Sequence, residues 1–80
     1  MQNNIRKIIV GDNYTHNIKY VKGVEYRVGQ NKCKLTELIS HGEHPDVAPI
    51  DIYVNDGKST FLWKTLKSEP LEVEYDANFS

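Results

Sequence analysis

The chain has one cysteine, Cys33, so no internal disulfide can hold it together, and a zinc site of the paired-cysteine kind has no ligands to draw on. No aliphatic run exceeds Ile8-Ile9-Val10, far short of the roughly 20 apolar residues of a membrane span or the apolar core of a signal peptide. Charge of one sign is also missing: ten Lys and Arg face eleven Asp and Glu, a net charge of −1. The broad basic footprint of a nucleic-acid-binding domain is therefore absent, and any such contact would need a local patch. Glycines at positions 11, 23 and 29 are too widely spaced for a phosphate-cradling loop and read as turn residues.

What is present is a small foldable chain. Its 80 residues suit one domain, 1–80, since domains run from about 50 to 250 residues. A composition of 39% hydrophobic and 10% aromatic residues is too apolar for a disordered segment. A core this small is thin, so association or a ligand would add stability. The net charge conceals an asymmetry. Residues 1–40 carry seven Lys and Arg against three Asp and Glu (+4), and residues 41–80 carry three against eight (−5). Basic and acidic strands lying side by side is the ordinary reading, and steering of a charged partner or head-to-tail self-association the alternative. Asn, Ile, Lys and Tyr fill 27 positions, the bias of an AT-rich genome, which points to a bacterium or phage. We expect a cytoplasmic protein.

Strand signals dominate. Ile5 to Val10 is rich in β-branched residues and runs into the turn residues Gly11-Asp12-Asn13. From Ile18 to Val28 an alternation puts Ile18, Tyr20, Val24, Tyr26 and Val28 on one face, as one strand or two joined near Lys22-Gly23. Positions 34–40 are ambiguous. Leu35, Leu38 and Ile39 have helical spacing, whereas Cys33 and Leu35 alternate, so a strand or one short helical turn is expected. Residues 40–49, SHGEHPDVAP, read as an exposed loop. Ile50 to Val54 and Ser59 to Leu66 form a hairpin about Asn55-Asp56-Gly57-Lys58. A last strand, Leu71 to Tyr75, turns Leu71, Val73 and Tyr75 inward, and 76–80 should fray. The expectation is a mainly β domain, an antiparallel meander or partly closed barrel of SH3-like or OB-like size, with Trp63 largely buried.

Chemistry-bearing clusters are few. His41, His44 and Asp46 are the densest metal-capable group, with Cys33 and His16 as distant candidates, but no second ligand pair accompanies them and no metal or other cofactor is expected. Cys33, flanked by Lys32 and Lys34, would favour a thiolate if exposed and could work with the same histidines as a cysteine-based or metal-dependent enzyme. Such sparse residues are more often structural, and no catalytic residue is assigned. Tyr20, Tyr26, Tyr53, Phe61, Trp63 and Tyr75, interleaved with Lys19, Lys22, Lys64 and Lys67, would suit base stacking in a nucleic-acid-binding barrel.

The hairpin says more. A two-residue Asp56-Gly57 turn would set Ile52 opposite Phe61 and Ile50 opposite Trp63, gathering a core face. Asp51, Tyr53, Thr60, Leu62 and Lys64 then share the other face, where Tyr53 and Leu62 meet either a second core or a partner, rimmed by Asp51 and Lys64. The leading expectation is a non-enzymatic module that docks on another macromolecule, most readily a protein or a second copy of itself, as an accessory, regulatory or inhibitor protein would.

Overall fold

The computed structural model describes residues 5–11, 16–44 and 47–76. Among the described residues seven strands account for the regular structure: β1 (Ile5–Gly11), β2 (Asn17–Val21), β3 (Glu25–Val28), β4 (Asn31–Ser40), β5 (Ile50–Asn55), β6 (Thr60–Leu66) and β7 (Glu72–Tyr75). All pairings are antiparallel, in a three-stranded sheet β2-β1-β7 and a four-stranded sheet β3-β4-β5-β6. The expectation of a small, mainly β antiparallel domain holds, with two sheets that do not close into a barrel. Nor is the chain a simple meander, because β7 leaves β6 and returns to pair with β1.

The alternating run 18–28 is two strands, and the break explains how the sheets join. Gly23, at φ 90°, takes a conformation an L side chain rarely adopts, and the chain turns there from the first sheet into the second. Lys22 N donates to Arg6 O at 2.7 Å, Gly23 N to Leu35 O at 2.8 Å, and Leu35 N returns to Val24 O at 2.9 Å, so one bent segment bonds to both sheets.

β4 is a strand throughout, and no helix occurs among the described residues. Its helix-like spacing has a different cause. Leu35 pairs with Val54 and Glu37 with Tyr53, leaving Thr36 as an extra, bulged residue whose Oγ1 donates to Tyr53 O at 3.1 Å. One inserted residue moves the next inward position from 37 to 38, so Leu35 and Leu38 are both buried three residues apart.

The core lies between the sheets. Ile5, Ile8, Val10 and Tyr20 meet Cys33, Leu35, Leu38, Ile50, Ile52 and Val54, all buried. Each such aliphatic side chain contributes about 1.5–3 kcal/mol relative to exposure. Three residues expected inside are not: Leu71 is 62% exposed, Tyr75 41% and Phe61 37%. Trp63 is only partly buried. Charge follows the ordinary reading along β1 and its neighbours, where Glu74 lies 2.8 Å from Arg6 and 3.3 Å from Lys7, and Lys22 lies 3.0 Å from Asp76. Asp76, the first residue of the terminus expected to fray, is held by this pair, and 77–80 lie outside the described residues.

Candidate functional site: the outer face of the four-stranded sheet

The β5–β6 hairpin differs from its expected register, for a reason visible in the turn. Asn55 Oδ1 accepts from Gly57 N at 2.7 Å, and Asp56 Oδ1 accepts from Lys58 N at 2.8 Å and Ser59 N at 3.0 Å. These side chains cap downstream amides and open the connection to four residues, 56–59, with Asn55 paired to Thr60. The hydrogen bonds from Ser59 and Lys58 hold the Asp56 carboxyl below its usual range. Every partner near the turn shifts by two, which preserves faces: Val54 meets Phe61 and Tyr53 meets Leu62.

Beyond Leu62 a bulge intervenes. Ile52 pairs with Lys64, Asp51 with Thr65 and Ile50 with Leu66, leaving Trp63 as the extra residue. Lys64 is therefore on the inner face beside Trp63, and its expected place on the rim with Tyr53 and Leu62 is corrected. Its Nζ sits 4.5 Å from the Trp63 ring centroid and 5.5 Å from that of Tyr20, and donates to Tyr20 Oη at 3.3 Å.

Three of the six rings considered for base stacking pack on one another instead. Tyr20, Tyr26 and Trp63 have centroids 5.7–6.0 Å apart, edge-on or tilted. Tyr20 is 5% exposed, and Tyr26 Oη accepts from Val21 N at 2.7 Å. This triad ties β2, β3 and β6 together as part of the core. Phe61 is at the sheet edge, 37% exposed.

The outer face of β3-β4-β5-β6 is organised in rows. Glu37, Tyr53 and Leu62 form one, Ile39, Asp51 and Thr65 the next, and Glu25, Lys34, Asn55 and Thr60 a third, with Arg27 opposite Lys32 at the β3–β4 end. Leu62 is 46% exposed and Tyr53 half-buried. A shallow groove of about 260 Å³ lies against Thr36, Ile39 and Tyr53. A second, of about 430 Å³, runs past Lys32, Lys34 and Asn55 and shares Thr36 with the first. Sequence reasoning placed Tyr53, Leu62 and Asp51 together, as they are, but missed Ile39 and the cations of β3 and β4. Their alternation could be placed only once β4 was known to be a bulged strand.

Asp51 is held at both oxygens: Oδ2 lies 2.7 Å from His41 Nε2, and Oδ1 accepts from Thr65 Oγ1 at 2.7 Å. The carboxylate stands between imidazole and hydroxyl, whereas a nucleophilic relay needs the imidazole in the middle. The contact instead pins the 40–49 loop to the sheet. Ser40 Oγ, 2.9 Å from His44 O and 2.5 Å from Val47 O, accepts from Gly42 N at 3.2 Å, and His41 N donates to Pro49 O at 2.8 Å. His41, Glu43, His44 and Pro49 are exposed, while Gly42, Val47 and Ala48 are partly covered. Asp46 lies outside the described residues. Among the described residues no three His, Cys, Asp or Glu side chains converge as metal ligands. Cys33 is 1% exposed, so its thiol does not meet solvent beside Lys32 and Lys34.

Comparison with protein-family models, with curated proteins and with solved structures finds no match for this chain.

Proposed function

We propose that this chain is a non-enzymatic binding module that docks a protein on the outer face of its four-stranded sheet. The observation that carries the reading is the Glu37–Tyr53–Leu62 row: an aliphatic side chain 46% exposed beside a half-buried tyrosine, next to Ile39 and a groove, with polar residues around them. An apolar centre with an amphipathic ring and a polar rim is the anatomy of a protein interface. The rigid sheet below holds these side chains in place without a partner, which lowers the ordering cost of association.

Two other readings have less support. A nucleic-acid surface would use rings as stacking platforms, and Tyr20, Tyr26 and Trp63 are occupied with one another. A cysteine-based enzyme needs an accessible thiolate, and Cys33 is buried.

The test compares capture from the source-cell lysate by the immobilised protein and by its Leu62→Lys variant. The proposal expects a protein retained by the first and lost by the second, a weakening of about 1–3 kcal/mol, with thermal melting unchanged. Equal retention by both, or retention of nucleic acid alone, would overturn it. If Leu62→Lys unfolds, the residue belongs to a second core and the docking face is wrong.

A further inference from the structure

We infer that the segment docking on this face is acidic: a short extended stretch of a partner protein bearing two or more carboxylates beside one large apolar side chain. The inference rests on the proposed docking face and adds the chemistry of what it receives.

One cross-strand pairing works against the fold. Arg27 and Lys32 are direct cross-strand partners in the β3–β4 hairpin, and Lys34 follows on the same face of β4. Like charges set opposite each other destabilise a sheet pair. On the other sheet three of the basic residues have acidic partners, Arg6 and Lys7 at Glu74 and Lys22 at Asp76, while Lys19 stands alone opposite Ile9 with no second cation facing it. Among the described residues no carboxylate forms an ion pair with Arg27, Lys32 or Lys34. Two acidic residues border the groove, and neither closes on a lysine. Glu25 is opposite Lys34 without an ion pair, and Asp56 directs its carboxylate to the amides of Lys58 and Ser59.

The cations also adjoin the apolar groove. Thr36 lines both depressions, so one ligand can run from Lys32 and Lys34 to Ile39 and Tyr53 without leaving the surface. Lys34 and Glu37 are three positions apart along β4, about 10 Å of strand, so carboxylates and an apolar anchor three or four residues apart in an extended peptide would reach both. Carboxylates accept the paired N–H groups of a guanidinium and the point charge of an ammonium. A nucleic acid fits less well, because a continuous phosphate backbone would cross Glu37 and Asp51 on the same face, where a peptide can place neutral residues.

The experiment pans a random-peptide display library against the immobilised full chain. The expected clones carry clustered Asp or Glu next to a large apolar residue. A synthetic peptide of that sequence should bind about tenfold more weakly to the Lys32→Glu, Lys34→Glu double variant, and more weakly as salt rises. Melting temperature confirms that the variant is folded, and Lys32→Gln, Lys34→Gln serves if charge reversal disturbs the hairpin. Enrichment of neutral or basic clones, no enrichment, or binding indifferent to both variants would overturn the inference. A neutral clone lost on Leu62→Lys but not on charge reversal removes the acidic partner and leaves the docking face standing. Tighter binding of an oligothymidylate than of any selected peptide, or self-association abolished by the charge reversal, assigns the patch to nucleic acid or to a second copy and also overturns it.

Discussion

The two faces of the β3-β4-β5-β6 sheet are made by alternate residues of the same strands, yet they differ in kind. On β5, Ile50, Ile52 and Val54 are fully buried, while Asp51 and Tyr53 between them are only partly covered and face polar and apolar neighbours in mixed rows. The inner face is apolar almost without interruption and has the other sheet as its cover. The outer face has an apolar centre in which Leu62 is 46% exposed, opposed cations at one end and, at the other, a carboxylate clamped by His41 of the 40–49 loop. A small domain can bury one side of a sheet with its own material, and what is placed on the other side is free to serve association.

The largest effect should follow from cutting into the inner face. Leu38→Ala removes a side chain 2% exposed from the layer between the sheets and should cost about 2–5 kcal/mol in urea unfolding. A loss below about 1 kcal/mol would mean that the inner face is not the core and that the contrast between faces is misplaced.

Lys64 sharpens the comparison, being a charged residue admitted to the inner face by the Trp63 bulge. Lys64→Met keeps the stem and loses the cation over Trp63 and the bond to Tyr20, so a destabilisation of about 0.5–1 kcal/mol is expected, with peptide binding on the outer face unaffected. Weaker binding in this variant would show that Lys64 belongs functionally with Tyr53 and Leu62.

The smallest effect is on the other sheet and separates ordinary charge matching from the unmatched cations. Arg6 first, then Lys7, hold the Glu74 carboxyl below its ordinary range. A folded-state value below the unfolded one means that stabilisation is fully present above the unfolded value and is lost as pH falls through the lowered one. Acid titration of the fold should therefore show part of its loss below the usual glutamate range, and that part should vanish in Glu74→Gln. Mutating Lys34, which has no ion pair, should leave the acid limb unchanged.

Most strand positions were legible because alternation of apolar residues is local. Ile5 to Val10, Ile50 to Val54 and Ser59 to Leu66 match β1, β5 and β6 closely. The shared face of Tyr53 and Leu62 was also legible, though by way of the wrong turn. A loop of two residues and one of four leave the same parity, so the face survived while the partners shifted by two. What could not be read were the bulges. A bulge adds one residue to one strand only, and its signature in β4, Leu35 followed by Leu38, is also that of a helix. The bulge at Trp63 carried Lys64 across the sheet in the same way. Without the place of β4, Ile39 and the Arg27–Lys32 pair could not be joined to the Tyr53–Leu62 face, so the candidate site was read from one hairpin when it spans four strands.

The most direct test uses neighbouring residues of β5. Ile52→Gln and Tyr53→Gln introduce the same neutral polar side chain one position apart, on opposite faces. Melting and binding of the selected acidic peptide are measured for both. The account predicts that Ile52→Gln unfolds the domain, since it places an amide where no polar partner awaits it. Tyr53→Gln should melt within about 1 kcal/mol of the parent chain, because it loses only lateral contacts with Glu37 and Leu62, yet bind the peptide at least about tenfold more weakly. Unfolding of both variants would mean that each face is core, and unaltered binding by a folded Tyr53→Gln would mean that the outer face of this sheet is not where the protein meets its partner.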